Sequence, residues 1–281
     1  MRIKQARVSP WTGFFIGKFH KHHGFDDYSD KSAPAVFMGC YGARDRFAIA
    51  RHSSDIILVW GGTDVVITEK FGRNHPYNDV LFRKNVFHIA KSNFISNTLS
   101  RMGIKHFKVP VCSTVAGLFN PVPRGDKVYS YIPERSKKKY GHDIFIKVKE
   151  QLPDIDFVIA DGIKSVPFEE MVNMYSKCFI GLRLVEHDGI SNTVVELGLM
   201  GRRVVWNGDT PNAIPYENIE DIVRAIKKEK NRVDDNQLVS SAVRNHIDIG
   251  DDWKDTSFYR KERDDTDSGT INELLAREAV A

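Results

Sequence analysis

Short apolar runs alternate with segments of helical length along most of the 281-residue chain. In the first part of the chain, apolar runs predict strands at residues 3–8, 35–38, 56–59, 86–89 and 107–111. Helical patterns between them cover residues 44–51 and 92–102, and Gly103 ends the second helix. Because strands that alternate with helices form parallel sheets covered by helices, the pattern predicts an α/β fold.

The same alternation starts again after a turn rich in proline and glycine at residues 120–126, which indicates a linker. Strands are predicted at residues 127–132, 156–160, 177–184 and 203–206, with helices ending at residue 150 and at 168–175, 193–200 and 219–228. The expected organisation is a domain at residues 1–120, a second domain at 121–250 and a charged tail at 251–281. In the tail, Trp253, Phe258 and Tyr259 would anchor one helix.

The most informative segment is residues 186–196, which contains two carboxylates eight positions apart, Asp188 and Glu196. A strand precedes it and a helix starting near Thr193 follows, so the helix N-terminus is expected at the carboxyl edge of a parallel sheet. Free backbone N–H groups and the helix dipole favour phosphate there, and Ser191 or Asn192 could cap the helix. Glu196 is expected in the first turn, where its carboxylate could accept hydrogen bonds from ribose. The segment therefore predicts a nucleoside diphosphate ligand.

A basic loop leads from the strand at 127–132 into the next helix, and its cations are Arg135, Lys137, Lys138 and Lys139. A departing diphosphate develops negative charge, which nearby cations stabilise. A solvated basic loop without a ligand is the other interpretation.

The acidic-x7-Glu spacing, with Gly189 after the first acid and Asn192-Thr193 before the second, resembles a known family. It is similar to the C-terminal signature of the retaining GT-B glycosyltransferases of family 4, also called group 1, which carry Glu where this chain has Asp188. The resemblance implies two facing Rossmann-like domains with a C-terminal helix that returns to the first. It also implies a nucleoside diphosphate sugar as donor, retention of the anomeric configuration and a reaction without metal.

The resemblance also assigns tasks to single residues. Asp188 would contact the transferred sugar near its 3- and 4-hydroxyls, and Glu196 would hold the ribose. The basic loop resembles the family's Arg…Lys-Gly element in position, so Arg135 and Lys139 would stabilise the diphosphate. The spacing departs from the usual one by one residue, which makes Lys138 the alternative to Lys139. Backbone groups of the turn and of the helix start would bind the phosphates, at Gly189, Ile190, Ser191, Asn192 and Thr193.

Three further loops are assigned by position. The resemblance places the nucleobase near Gly162 and Val166, in a loop that follows a strand, although a surface turn fits equally. The segment 61–64, Gly-Gly-Thr-Asp, looks like the family's His-Gly-x-Asp element, and Asp64 could cap the next segment or bind an acceptor hydroxyl. The loop with Gly13 resembles the family's glycine-containing loop, which approaches the donor phosphates.

Composition narrows the class of protein without choosing the substrate. Hydrophobic residues make up 41% of the chain and charged residues 28%, as in ordinary globular proteins, and the net charge is +4. That charge would suit an anionic substrate, a membrane surface or nucleic acid.

No apolar run reaches the roughly 18–20 residues of a membrane span, and the N-terminus lacks a signal peptide's apolar stretch. Three separated cysteines, Cys40, Cys112 and Cys178, indicate a reduced, cytoplasmic protein.

Other kinds of site find no support in the motifs. The chain has no Walker-type phosphate loop, no Gly-x-Ser-x-Gly and no Gly-x-Gly-x-x-Gly, so no cofactor beyond the substrate is expected. His20, His22 and His23 surround Lys21 in a stretch that predicts a solvated basic loop. A metal site is not favoured there, because no cysteine or carboxylate has ligand spacing.

The favoured function is transfer of a hexosyl group from a UDP- or GDP-linked sugar to an acceptor hydroxyl. A glycan or a surface polysaccharide precursor is the favoured acceptor, and a lipid-linked glycan with peripheral membrane contact is included. The alternatives are transfer to modified bases in DNA, a catalytically inactive protein that binds sugar nucleotides, and an epimerase of the same architecture.

Overall fold

The computed structural model describes residues 2–72, 78–163, 166–233 and 236–264, which form two α/β units. Unit 1 comprises the described residues up to Ser113, the segment Asp188–Ile190 and those from Asp248 onward. Unit 2 comprises Thr114–His187 and Ser191–Ile247. The chain thus changes unit at residues 113/114, where the sequence placed the boundary at 120/121.

Unit 1 is built on a six-stranded sheet of order β2-β1-β3-β4-β5-β6, in which every pair of neighbours is parallel. Its strands are β1 (Gln5–Val8), β2 (Asp26–Asp27), β3 (Ala35–Met38), β4 (Ile56–Val59), β5 (Val86–Ala90) and β6 (His106–Lys108). Its first helices are α1 (Ile16–His23), α2 (Ala43–Ala50), α3 (Thr63–Phe71) and α4 (Asn93–Arg101).

The five strands predicted for this part are confirmed, whereas β2, α1 and α3 were not predicted. β6 ends earlier than expected. Val109 still donates its N–H to Ala90, but the next N–H on that side of the strand, that of Val111, donates back to the Val109 carbonyl at 2.7 Å, so the ladder stops there.

The central strands of unit 1 are buried on both faces. Every residue of β3, β4 and β5 is buried, which explains why these strands appear in the sequence as continuous apolar runs. Alternate residues enter two separate cores. Val36 and Ile57 pack on one face of the sheet, and Phe37 and Leu58 pack on the other.

Unit 2 is built on a five-stranded sheet of order β11-β10-β9-β7-β8, again with parallel neighbours throughout. Its strands are β7 (Lys127–Tyr131), β8 (Phe157–Ala160), β9 (Cys178–Leu182), β10 (Arg203–Val205) and β11 (Ala213–Ile214). Its helices are α5 (His142–Glu150), α6 (Phe168–Ser176), α7 (Asn192–Leu199), α8 (Ile219–Lys230) and α9 (Asn236–Ile247). The predicted elements are all present, and the sequence missed only β11 and α9.

A buried arginine fixes the start of unit 2. Arg202 has no exposed surface, and its guanidinium donates to the backbone carbonyls of Cys178, Val122, Met200 and Pro123. Burial lowers its pKa to about 10, so the group stays cationic at neutral pH. Its charge is therefore dispersed over four carbonyl dipoles, which tie residues 122–123 to the sheet.

The last described helix, α10 (Thr256–Asp264), belongs to unit 1, as expected. Tyr259 and Trp253 are buried in the same core as Val36, and the Tyr259 hydroxyl donates to the Trp253 carbonyl at 2.6 Å. Arg260 adds a two-pronged ion pair to Asp55, at 2.7 and 2.9 Å. The rest of the predicted tail, residues 265–281, lies outside the described residues.

The basic stretch around Lys21 is a helix, which corrects the prediction of a solvated loop. His23 in α1 is buried, and its Nε2 lies 2.8 Å from the Cys112 carbonyl. Burial lowers the pKa of His23 to about 3, so its ring is neutral.

Within the described part of the chain, no group of His, Cys, Asp and Glu could hold a metal ion. No helix of that part is long and apolar enough to cross a membrane.

We expect Trp253→Ala to lower the free energy of unfolding by about 3–5 kcal/mol, because it empties a large buried volume beneath α10. Urea titration followed by circular dichroism measures the change. Trp11→Ala is the matched control, since that indole is 73% exposed and its loss should alter stability by less than about 0.5 kcal/mol. Equal effects of the two substitutions would contradict the assignment of Trp253 to the core.

Candidate functional site

Three neighbouring strands of unit 2 end side by side. Tyr131 of β7 pairs with Ala160 of β8, and Ser130 pairs with Leu182 of β9. Because the strands are parallel, the loops that follow them leave the sheet at one edge. That edge is the usual ligand site of an open α/β sheet. The loops contain eight of the predicted site residues, namely Arg135, Lys139, Gly162, Val166, Asp188, Gly189, Ile190 and Ser191, and Asn192 and Thr193 follow directly at the start of α7.

The loop after β8 is fixed against the loop after β7. Glu134 donates its N–H to the Asp161 carbonyl at 2.8 Å. Gly162 has φ +68°, and a Cβ there would lie 3.1 Å from Pro133 and 3.2 Å from the Tyr131 hydroxyl. Glycine therefore meets both the backbone and the packing demands of this position. Val166 is half-buried, and residues 164–165 lie outside the described part.

The loop after β7 is in turn packed against the end of β9. Arg183 is buried, and its guanidinium carbon lies 4.7 Å from the Tyr140 ring centroid and 5.5 Å from that of Tyr131. Gly141, with φ +69°, is pressed against the backbone of Leu184. Such cation–π contacts contribute more when they are desolvated. Arg183 was not among the predicted site residues. The feature of the sequence that points to it is a lone cation within the apolar run 178–185.

The candidate cations sit on two short 3-10 turns, Glu134–Ser136 and Lys138–Tyr140. Arg135, Lys138 and Lys139 are all exposed, so each can reach a ligand from this edge. Lys137 instead forms an ion pair with Glu134, with an N–O distance of 2.7 Å. Exposure therefore does not decide between Lys138 and Lys139.

The start of α7 is as expected to within one residue. Asn192 is the first helical residue and Ser191 is the N-cap, with no capping hydrogen bond from its side chain. The Ser191 carbonyl accepts from Val194 and Val195. The first N–H groups of a helix have no partner inside it, so the backbone at Asn192 and Thr193 presents donors of the kind that bind phosphate.

Glu196 is the fifth residue of α7 and opens its second turn, which corrects its prediction in the first turn. Its carboxylate is buried and accepts a hydrogen bond from the Tyr175 hydroxyl at 2.8 Å. Burial, and then the negative charge of Glu196, raise the pKa of Tyr175, so that hydroxyl keeps its proton. The Tyr129 ring packs edge-on against Tyr175 with centroids 4.9 Å apart. Glu196 is thus held by aromatic side chains from α6 and β7.

The segment Asp188–Ile190 packs within unit 1. A Cβ on Gly62 would lie 2.8 Å from the Gly189 nitrogen, and a Cβ on Gly189 would lie 2.5 Å from the Gly61 carbonyl oxygen. The two backbones touch because none of these three residues carries a side chain. Asp188 itself is half-buried, and its Oδ1 accepts from the Gly189 N–H at 2.9 Å.

Lys91, at the end of β5, lies beside this segment and was not among the predicted site residues. It is buried, and a Cβ on Gly189 would lie 2.9 Å from its Cε. Burial lowers the pKa of Lys91, while the charges of Asp188 and Asp64 act to raise it. Next to it, the Ser92 hydroxyl donates to the Asp188 carbonyl at 3.4 Å.

Asp64 is fully buried, and its carboxylate binds backbone N–H groups. Its carboxylate accepts from the N–H groups of Cys40 at 3.0 Å, Gly61 at 3.0 Å, Gly62 at 2.7 Å and Val65 at 2.9 Å. Burial raises its pKa, and these N–H groups oppose the rise. Of the two interpretations of Asp64, the capping one agrees with this geometry, since no carboxylate surface is left for an acceptor hydroxyl.

Gly13 lies in a 3-10 helix, Pro10–Phe15, directly after β1. It therefore follows the carboxyl end of a strand, as the resemblance implies, but in a helical turn and not in an open loop.

Comparison with solved structures supports the fold. The chain resembles sucrose-phosphate synthase from Thermosynechococcus elongatus, with a TM-score of 0.54 and 12% identity over 84% of this chain and 72% of that one. Anabaena HepE in complex with UDP follows at a TM-score of 0.48 and 10% identity, over 94% and 82%. TarM follows at 0.47 and 10%, over 80% of this chain and 53% of its own. The predicted GT-B type of α/β fold with two Rossmann-like domains is confirmed.

Identity this low extends the likeness to the fold alone. No protein-family model matches the sequence, and no curated protein matches it.

We expect Gly62→Ala to destabilise unit 1 by more than about 3 kcal/mol, because φ is +127° and the new methyl would overlap the backbone of Gly189. Gly103→Ala is the control. Gly103 also has positive φ, at +69°, but open space around it, so we expect a loss of about 1–2 kcal/mol. Urea denaturation of both variants tests the contact. Equal losses would show that the backbone of residue 189 does not lie against Gly62.

We expect Tyr175→Phe to lower the free energy of unfolding by about 1.5–3 kcal/mol, because it removes a donor from the buried carboxylate of Glu196. Thermal unfolding at neutral pH measures the change. The control is Tyr216→Phe in the same unit, where the backbone makes the hydrogen bonds with Asn207. A Tyr175→Phe variant as stable as this control would contradict the pairing.

Proposed function

We propose that this protein is a glycosyltransferase that moves a sugar from a nucleoside diphosphate sugar, UDP- or GDP-linked, to an acceptor hydroxyl. The observation that carries the proposal is the meeting of three loops at one edge of the unit 2 sheet. One loop contributes exposed cations, one a glycine-containing turn, and one the amino end of α7. A ligand with a base, a pentose and two phosphates suits that combination.

The diphosphate would sit against the amino end of α7. N–H groups at Asn192 and Thr193 would bind its oxygens, and the turn residues Gly189, Ile190 and Ser191 would contribute backbone groups before them. Arg135 and Lys139, or Lys138 in its place, would stabilise the charge that collects on the leaving group as the glycosidic bond breaks. Fixed cations and N–H dipoles supply this stabilisation directly, so the reaction as proposed needs no metal.

The nucleoside would lie over the loop after β8, with the base near Gly162 and Val166. Glu196 would hold the ribose hydroxyls, and its hydrogen bond from Tyr175 would fix the direction of the carboxylate. Asp188 would contact the transferred sugar. Retention of configuration, and a glycan or polysaccharide precursor as acceptor, complete the proposal and follow from the resemblance of residues 188–196 to family 4.

A catalytically inactive protein that binds sugar nucleotides is the second candidate. The observation in its favour is Asp188, whose side chain is one methylene shorter than the family's Glu. Transfer to modified bases in DNA remains the alternative acceptor chemistry, and the net charge of +4 is compatible with it. Binding to DNA would weaken steeply as salt is added.

We expect Arg135→Ala to lower the turnover of donor hydrolysis by about 100-fold, because one charge opposite the leaving group is lost. Glu196→Ala should instead weaken binding of the nucleoside diphosphate by about 10- to 100-fold, through loss of hydrogen bonds to a charged acceptor. Turnover is measured over a panel of UDP- and GDP-sugars, and binding by calorimetry. Lys138→Ala and Lys139→Ala, assayed in parallel, decide which lysine acts.

Lys147→Ala is the control for a loss of charge, since this exposed lysine lies on α5 in the same unit. Unchanged kinetics in both Arg135→Ala and Glu196→Ala would remove the proposed site. Tight binding of a nucleoside diphosphate without turnover on any donor would instead favour the inactive protein.

A further inference from the structure

A cationic groove lies in unit 1 beside α2. It has a volume of about 360 Å³ and is lined by Tyr28, Lys31, Arg44, Phe47, Ala48 and Arg51. That volume falls within the range of pockets that hold small ligands. Three of the six lining residues are cations, and among these described residues none is acidic.

One face of α2 forms the first wall of the groove. Arg44, Phe47 and Arg51 follow one another at helical spacing, so they point to the same side. Phe47 is 47% exposed, an unusual placement for a large apolar ring. The helix rises about 1.5 Å per residue, so the two arginines start about 10 Å apart with the ring between them.

Hydrogen bonds hold the second wall, residues 28–31, at a fixed place. The Lys31 carbonyl accepts from the N–H and the hydroxyl of Ser53, at 2.9 and 3.1 Å. The Tyr28 hydroxyl lies 3.1 Å from Nδ1 of His52. These bonds join the second wall to the residues that follow α2, so the groove exists before any ligand arrives.

The neighbouring charges do not neutralise the groove. Asp45 on α2 is buried and pairs with Arg7 at 2.7 Å. Asp30 accepts from the N–H and hydroxyl of Ser32, at 2.8 and 2.6 Å. The carbonyls at the end of α2 are bound by Arg83, which donates to Ile49 at 3.0 Å. The ion pair with Arg7 offsets the charge of Asp45, whereas Asp30 stays ionised because its hydrogen bonds from Ser32 lower its pKa. The three cations of the lining outnumber this carboxylate, so the groove keeps a positive field.

We propose that this groove binds an anionic oligosaccharide. An apolar ring between two cations suits a chain in which uncharged ring faces alternate with separate carboxylate or phosphate groups. A stretch of nucleic acid would use several stacking platforms in a row. Here the exposed ring of the lining is that of Phe47, because the Tyr28 ring is half-buried and packs against Phe37 and His52. The choice of a saccharide rests on the proposed sugar transfer, in which the groove would bind part of the acceptor.

Calorimetry with tetragalacturonate as probe tests the proposal, with maltotetraose as the neutral probe and a thymidine tetranucleotide as the nucleic-acid probe. We expect binding of tetragalacturonate only, weakening as salt is added. Arg44→Ala combined with Arg51→Ala should weaken it about tenfold or more, and Phe47→Ala about fivefold. Lys105→Ala and Phe71→Ala, at exposed positions of unit 1 outside the groove, should leave it unchanged.

No binding of tetragalacturonate, tighter binding of the tetranucleotide, or full binding by the double arginine variant would each overturn the proposal. Melting temperatures of all variants verify folding. Thermal stabilisation by UDP and GDP is measured on the same samples and reports on unit 2. Its absence alongside intact tetragalacturonate binding would remove the sugar-transfer function and leave the groove standing.

Discussion

The parallel register of the strands is the constraint on which the rest of the structure depends. A parallel strand cannot return by a tight hairpin, and most strands of this protein pass into a helix before the next begins. Every loop that follows a strand then falls on the same edge of its sheet. In unit 2 this brings together the chain after β7, β8 and β9 at one edge, although those loops start 22 to 51 residues apart in sequence. No side-chain preference could produce that meeting alone.

Much of this arrangement could be predicted, because buried parallel strands appear in the sequence as short apolar runs. β3, β4 and β9 are apolar at every position, and glycine or proline marks several of their ends. What the sequence could not supply was the partner of each polar side chain. The hydrogen bond between Tyr175 and Glu196 spans 21 positions and two helices, so neither residue alone predicts it. The helix α1 was missed because its three histidines dominate the pattern, while only burial shows that His23 faces a core.

The site residues differ in how they are held, which explains why some predictions needed correction. Asp64 and Glu196 both appeared in the sequence as carboxylates ready for a ligand, yet both are buried and hydrogen-bonded within the protein. A buried carboxylate is tolerated only when hydrogen-bond donors surround it. The donors to Asp64 fix the backbone of the loop after β4, and the donor to Glu196 ties α7 to α6. Arg135, Lys138 and Lys139 are instead exposed and lie on two short 3-10 turns.

The guanidinium of Arg202 has a consequence for where the second unit can be cut from the chain. Its fork spans carbonyls at 122–123 and at 178 and 200, a planar pattern that lysine could not reproduce with a single ammonium. A recombinant fragment that begins at β7 would lack the carbonyls of Val122 and Pro123. The buried guanidinium of Arg202 would then lose two of its four hydrogen-bond acceptors. The N-terminal boundary of unit 2 therefore lies upstream of β7, in a region that the sequence alone indicates to be a linker.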